Sequence, residues 1–164
     1  MIDIFKIKKL KHLSFAEKFG LSIYPWKNCK PENSASLKKE LSKSNVAIIS
    51  SGGFYVKYEQ EPFDNKIKGG DFSYRIIPTE INFDSLAESH RSKTFDHSGL
   101  RTNPSTGIPI PQLMSLVKDG IIGELNHLHF SLMGGIIAPM RLIKKTISDI
   151  IDTLIRDKVD VVLC

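Results

Sequence analysis

The run Asn45-Val-Ala-Ile-Ile-Ser50 constrains the fold more than any other stretch of the chain. It is too short for a stable helix, and between its two ends it has no polar position to turn toward water. It therefore predicts a strand buried on both faces, the kind found in parallel sheets covered by helices. The strand runs directly into Ser50-Ser51-Gly52-Gly53. An α/β sheet places its ligand loops at the carboxyl ends of its strands. As a phosphate loop the stretch is weak, because it lacks both the dinucleotide fingerprint and the Walker lysine, and a plain Gly-Gly turn is the competing reading. Residues Asn126 to Leu132 repeat the theme, with a strand alternation followed by Met133-Gly134-Gly135. If the two strands are neighbours, both glycine loops face one crevice. Asp160-Val-Val-Leu-Cys164 begins a further buried strand.

The remaining elements fill in around these strands. Met1 to Phe19 intersperses Ile4, Ile7, Leu10, Phe15 and Phe19 with basic residues, which predicts an amphipathic helix ending at Gly20. Tyr24-Pro25-Trp26 starts an extended linker, with Trp26 as an anchor on the core. Phe54 to Phe63 reads as a short strand or extended arm, and Ser73 to Ile77 as a strand stopped by Pro78. Phe83 to Ser89 reads as one or two helical turns. Pro111 suits the first residue of a helix ended by Gly120. From Pro139 the stripe Leu142, Ile143, Ile147, Ile150, Ile151, Leu154 and Ile155 predicts one long helix. The order favours a single α/β domain, three-layered and mostly parallel, over residues 24–164, with an N-terminal helix and arm over 1–23.

Composition excludes several classes. The chain has 164 residues, 41% hydrophobic and 25% charged, which is ordinary for a globular domain. The apolar residues near the start are broken by lysines, so an export signal is not expected, and no run reaches the length of a membrane span. The expected compartment is the cytoplasm, where a structural disulfide between Cys29 and Cys164 is not anticipated. The net charge is +5. Part of it comes from the patch Lys6, Lys8, Lys9, Lys11 and His12, which can meet an anionic surface but reads more plainly as a solvated helix face. Nucleic acid is not among the expected partners.

Chemistry concentrates in the central polar run, Gly70 to Pro78 followed by Ser89-His90 and Thr94 to Arg101. It has no helical period, it is punctuated by Gly and Pro, and its aromatics Phe72, Tyr74 and Phe95 argue against disorder. Asp96 and His97 suit substrate orientation or proton exchange, or equally a hydrogen-bonded tie between loops. Arg75 and Arg101 suit a carboxylate clamp, and each alone suits a salt bridge. Asp71 reads as a backbone cap. His127 and His129, two apart on a strand, share a face, but with no third ligand a metal site is not expected.

These residues resemble a known family. Tyr24-Pro-Trp26, Val46 to Gly53, Pro62-Phe-Asp64, Gly70 to Pro78, Ser89-His90, Phe95 to Gly99, Gly120 to Leu125, His129 to Gly134 and Asp157 to Leu163 are similar, in order and spacing, to the selenoprotein B component of the glycine, sarcosine, betaine and D-proline reductases. The resemblance implies reductive carbon–nitrogen cleavage. A selenolate or thiolate attacks the substrate α-carbon, a thioredoxin-like dithiol donor supplies electrons, and a companion subunit carrying a pyruvoyl group activates the amine. It also implies that subunit as a partner, leaves the oligomeric state open and places no cofactor on this chain, with selenocysteine or a replacement cysteine as the nucleophile of the family. That nucleophile belongs to a Cys-rich loop just after the strand resembling Asp160 to Leu163, a loop these residues do not include. A codon read as a stop, a short family member and a loop on a separate polypeptide all remain open. Cys164 sits close to the nucleophile's position. Asp96 and His97, by their chemistry, and Cys164, by its place near that position, are the candidate catalytic residues. Ser51, Gly52, Gly53, Arg75, His90 and Arg101 are the candidate substrate-binding residues. The alternative from another class is a non-catalytic binding module that lacks the reactive loop.

Overall fold

A computed structural model describes residues 14–23, 35–92, 95 and 97–164. The basic patch at Lys6–His12, the Tyr24-Pro25-Trp26 linker, Cys29 and Asp96 lie outside the described residues. The chain divides into two units, Met1–Ser36 and Leu37–Cys164. The first holds helix α1 (Phe15–Ile23), which continues through Gly20 rather than ending there.

The second unit is built on β1 (Asn45–Ser50), buried at every position but Ile49. β5 (Glu124–Leu125) pairs parallel with its start, Asn45 opposite Glu124, and β6 (Leu128–Leu132) with its end, Ser50 opposite Ser131. β7 (Val161–Leu163) pairs parallel with its middle, Ala47 opposite Val162. The Val46 carbonyl accepts from Asn126 and the Asn45 carbonyl from Asp160. Successive residues of a strand offer their backbone groups to opposite sides, so β7 occupies the other flank of β1. β3 (Tyr74–Pro78) extends the sheet antiparallel to β6. The fold is α/β with a mostly parallel sheet, as expected.

The core forms on the face that carries Val46 and Ile48. Against it pack β2 (Phe54–Val56) and β4 (Leu86–Glu88), paired antiparallel with Tyr55 opposite Ala87, and helix α3 (Ile110–Lys118). Val46, Ile48, Phe54, Val56, Ile77, Leu86, Leu100, Ile108, Ile110, Leu113 and Ile122 make one apolar cluster. α3 begins one residue before Pro111, which therefore sits in its first turn, where its missing N–H costs nothing.

Three elements differ from the sequence reading. Phe83 to Ser89 is not helical beyond one 3-10 turn, Phe83–Ser85, capped by the Asn82 side chain. Pairing with β2 then draws Leu86–Glu88 into a strand. Within the polar run, helix α2 (His97–Thr102) and a 3-10 turn, Pro104–Thr106, form where irregular chain was expected. The long C-terminal helix is two, α4 (Pro139–Lys145) and α5 (Ile147–Arg156). They meet at Thr146, whose φ of −118° leaves the helical range and whose buried hydroxyl donates to the Phe72 carbonyl. Among the described residues no helix is long and apolar enough to cross a membrane.

Candidate functional site

The carboxyl ends of β1, β6 and β7 converge. The Gly53 N–H donates to the Leu132 carbonyl at 2.9 Å and the Phe54 N–H to Ser131 Oγ at 2.8 Å. These bonds seat the glycine turn after β1 on the end of β6. Ser50 Oγ accepts from the Gly52 N–H and donates to the Gly107 carbonyl at 2.7 Å, which brings in the loop before α3. The two glycine loops thus face the same region. Gly53 and Gly134 both have positive φ, +70° and +68°. A Cβ on Gly134 would lie 2.3 Å from both His90 Nε2 and the Ser51 carbonyl oxygen. His90 therefore lies wedged between the two glycine turns.

A cavity of about 280 Å³ opens here, lined by the end of β1, Ser51, Gly52, Phe95, Leu100, Thr106, Gly107, Leu163 and Cys164. Its volume accommodates a small amino acid with its water. None of the lining side chains is charged; hydroxyls and backbone supply its polarity. Cys164 is a free, exposed thiol at its edge. A larger hollow, about 510 Å³, lies in the turn Tyr55 to Pro62 and holds none of the histidines.

Behind the cavity wall sits a charged knot. His90 stacks on Phe95 with ring centroids 4.0 Å apart. The Glu88 side chain is 2% exposed. Its Oε1 accepts from the His90 N–H at 2.8 Å and from His97 Nδ1 at 2.5 Å, and its Oε2 from Arg101 Nε at 3.1 Å. Burial pushes the Glu88 carboxyl up, but the His97 hydrogen bond, the His90 N–H, the His97 charge and Arg101 together outweigh it and hold it below the usual range. His97 Nε2 faces the Ser92 carbonyl at 2.9 Å, so both ring nitrogens have oxygen partners. His90 Nδ1 accepts from the Ser92 N–H at 3.1 Å, which leaves its proton on Nε2. Burial, then the His97 charge, lowers the His90 pKa against the opposing pull of Glu88.

The candidate residues therefore separate. Ser51, Gly52 and Cys164 line the cavity. Gly53 and His90 are not part of its lining; a Cβ on Gly53 would meet the His90 backbone, and one on Gly134 the His90 ring. His97 stands behind Phe95 and His90, tied at both nitrogens. Arg101 is 68% exposed and borders a different hollow, with Lys57 and Pro104. Arg75 donates to the carbonyls of Glu61, Tyr74 and Pro62 and to Ser73 Oγ, and lies over the Phe63 ring at 4.3 Å. Its guanidinium pins the arm after β2 and is not part of the cavity lining. Asp71 caps the neighbouring turn, accepting from the Asp64 N–H and from both the N–H and the hydroxyl of Ser73. Burial raises its pKa, yet these bonds and the Arg75 charge hold it below the usual carboxylate value. His127 lies before β6 begins and is 70% exposed, whereas His129 is fully buried, so the two do not share an environment. Among the described residues no group of metal-ligating side chains gathers.

Glu88 escaped the sequence reading because its neighbours read as helical turns. The signal available was the alternation Leu86-Ala87-Glu88, which on a strand gives Leu86 and Glu88 the same face.

Comparison with known proteins agrees with the motif resemblance. No family model and no solved structure matches the chain. It is 28% identical over 125 residues to the D-proline reductase subunit gamma of Acetoanaerobium sticklandii, an alignment covering 76% of this chain and 49% of that protein. It is 25% identical over 159 residues to the glycine reductase complex component B subunit gamma of Peptoclostridium acidaminophilum, covering 96% of this chain and 34% of that one. The chain thus spans about half the length of the first relative and a third of the second. In the order of its motifs and over most of its length the chain is thus similar to selenoprotein B-like reductase subunits.

Proposed function

We propose that this chain is the substrate-binding part of an amino-acid or amine reductase component, with the strand-end cavity as its site. The observation that carries this reading is the convergence of Ser51, Gly52, Thr106 and a free thiol on one small cavity, lined by no charged side chain, at the carboxyl ends of parallel strands. The hydroxyls of Ser51 and Thr106 and the turn backbone bind the small substrate. A chalcogen nucleophile, Cys164 or a selenol close to it, forms a bond to the α-carbon as the C–N bond breaks and the amine leaves with the electron pair. A donor thiol then attacks the sulfur or selenium. The bond to carbon breaks, carbon takes a proton, and the donor's second thiol closes its disulfide and frees the nucleophile. Net, one dithiol gives two electrons and two protons. A pyruvoyl group, in this reading, belongs to a partner subunit, and no residue of this chain is assigned to hold it.

The test is calorimetric titration of the full chain with glycine, sarcosine, betaine and D-proline. One of the four should bind with a Kd of about 1 mM or tighter, within the range enzymes show for their substrates. The Cys164→Ser variant should keep that affinity within about twofold while losing the covalent substrate adduct that mass spectrometry sees in the absence of dithiol. Binding of none of the four would overturn the reading. Binding with no adduct in either protein would favour the non-catalytic module.

A further inference from the structure

We propose that Glu88 is the positioning residue of the strand-end site, setting the cavity wall by gathering His90, His97 and Arg101 onto one buried carboxylate. The inference rests on the reading of that cavity as the substrate site.

Three observations carry it. The first is its connectivity. Its two oxygens take the His90 N–H, His97 Nδ1 and Arg101 Nε, groups that span the segment from the end of β4 through α2. The second is what this segment presents. His90 and Phe95 stack at an interplanar angle of 18°, and His97 meets both rings edge-on, at centroid distances of 6.0 Å and 5.7 Å. Phe95 is itself a wall of the cavity, and the Nε2 edge of His90 closes on Gly134, which the Ser51 carbonyl also approaches. The third is burial. With its carboxylate withdrawn from water, Glu88 is held by these partners, and its removal takes the acceptor away from the His90 N–H and from His97 Nδ1. Glu88 lines the neighbouring hollow, not this cavity, and acts on it through His90 and Phe95.

Glutamine is the sharpest replacement. It keeps the shape but offers one oxygen, and its amide N–H₂ points a donor either at Arg101 or at His90 and His97. The E88Q chain should lose the ring-current displacement of the His90 ring protons caused by the Phe95 stack, read by NMR without any ligand. Resonances shifted by the Tyr74–Phe130 pair, 5.8 Å apart in the sheet, should stay in place and report an intact fold. E88D, which keeps the charge, should retain part of the displacement. An E88Q chain that keeps the full His90 displacement would overturn the proposal. If E88Q does not fold, H97Q removes one arm alone, and an unchanged His90 signal in it would overturn the proposal equally. In the ligand arm, D-proline should bind E88Q about tenfold more weakly than wild type. Failure of D-proline to bind the wild-type chain moves the ligand arm to whichever of the four substrates does bind; failure of all four would count against the cavity as the substrate site, while the ligand-free NMR result still decides the role of Glu88.

Discussion

Gly134→Ala will disable the site, while Gly135→Ala one residue later will not. Both glycines have positive φ, +68° and +61°. An alanine at either pays the left-handed penalty, about 1–2 kcal/mol. They differ in what the new methyl group meets. At Gly135 the nearest atoms, Arg91 Cβ and the Ser92 nitrogen, are 3.9 Å away, an ordinary contact. At Gly134 the methyl would stand 2.3 Å from both His90 Nε2 and the Ser51 carbonyl oxygen. Relief requires moving the histidine or the turn after β1, and overpacking of this kind costs a further 1–3 kcal/mol or about that. Chemical denaturation should therefore show Gly135→Ala weaker by about 1 kcal/mol and Gly134→Ala by about 3, with ligand affinity lost in the second alone. Gly120→Ala, at φ +69° with nothing within 4 Å, supplies the backbone penalty by itself. Equal costs at Gly134 and Gly120 would show that the two turns and His90 do not close on one another.

The second large effect falls on His129, which repairs the sheet. β5 and β6 are one run interrupted at Asn126 and His127, and the interruption removes a backbone acceptor opposite Ile48. The imidazole replaces it, with Nδ1 accepting the Ile48 N–H at 3.1 Å. That fixes the proton on Nε2, which faces Thr79 Oγ1 at 3.1 Å, and the threonine hydroxyl donates to the Asn126 carbonyl. His129 is 0% exposed, and burial first, then the His127 charge, pushes its pKa down to about 4. The folded chain therefore holds it neutral, while the unfolded chain takes up its proton near 6.5. Its contribution is complete above pH 6.5 and fades as pH falls from 6.5 to about 4, a loss of about 3 kcal/mol. His129→Ala empties this space and leaves a buried N–H without an acceptor, for a cost of about 3–5 kcal/mol at neutral pH. His129→Leu refills the volume but not the hydrogen bond and should cost about 2 kcal/mol. Stability of either variant between pH 6.5 and 4 should fall less steeply than that of the wild type. A variant with an unchanged acid limb would show that another group governs it.

Much of the sheet was legible in the sequence because β1 is buried at nearly every position. Val46 to Ile49 and Phe130 to Met133 carry their burial in composition, and Gly52-Gly53 and Gly134-Gly135 mark their ends, whereas Val161–Leu163 forms the expected strand but leaves Val162 and Leu163 exposed rather than buried. Long-range pairing was not legible. Leu86–Glu88 is a strand because Phe54–Val56 lies beside it, and its own residues read as well as a helical turn. The break at Thr146 has no Gly or Pro to announce it; a distant carbonyl, that of Phe72, claims the hydroxyl. The cavity residues next to glycine could be picked out by position along a strand. The arginines could not, since a guanidinium reaches several residues away. Arg75 turned to the Glu61–Pro62 backbone and Arg101 to Glu88. Glu88 itself acquires meaning only once α2 brings His97 and Arg101 to it.

The measurement that bears most directly on the account is ¹H–¹⁵N NMR of the full chain titrated with D-proline and, separately, glycine. The account places the largest amide shifts at Ser50 to Gly53, Phe95, Thr106 to Gly107, Met133 to Gly135 and Leu163 to Cys164, fading toward β3. Shifts centred instead on Tyr55 to Pro62, or on the hollow beside Arg101 and Lys57, would contradict it and move the site away from the strand ends.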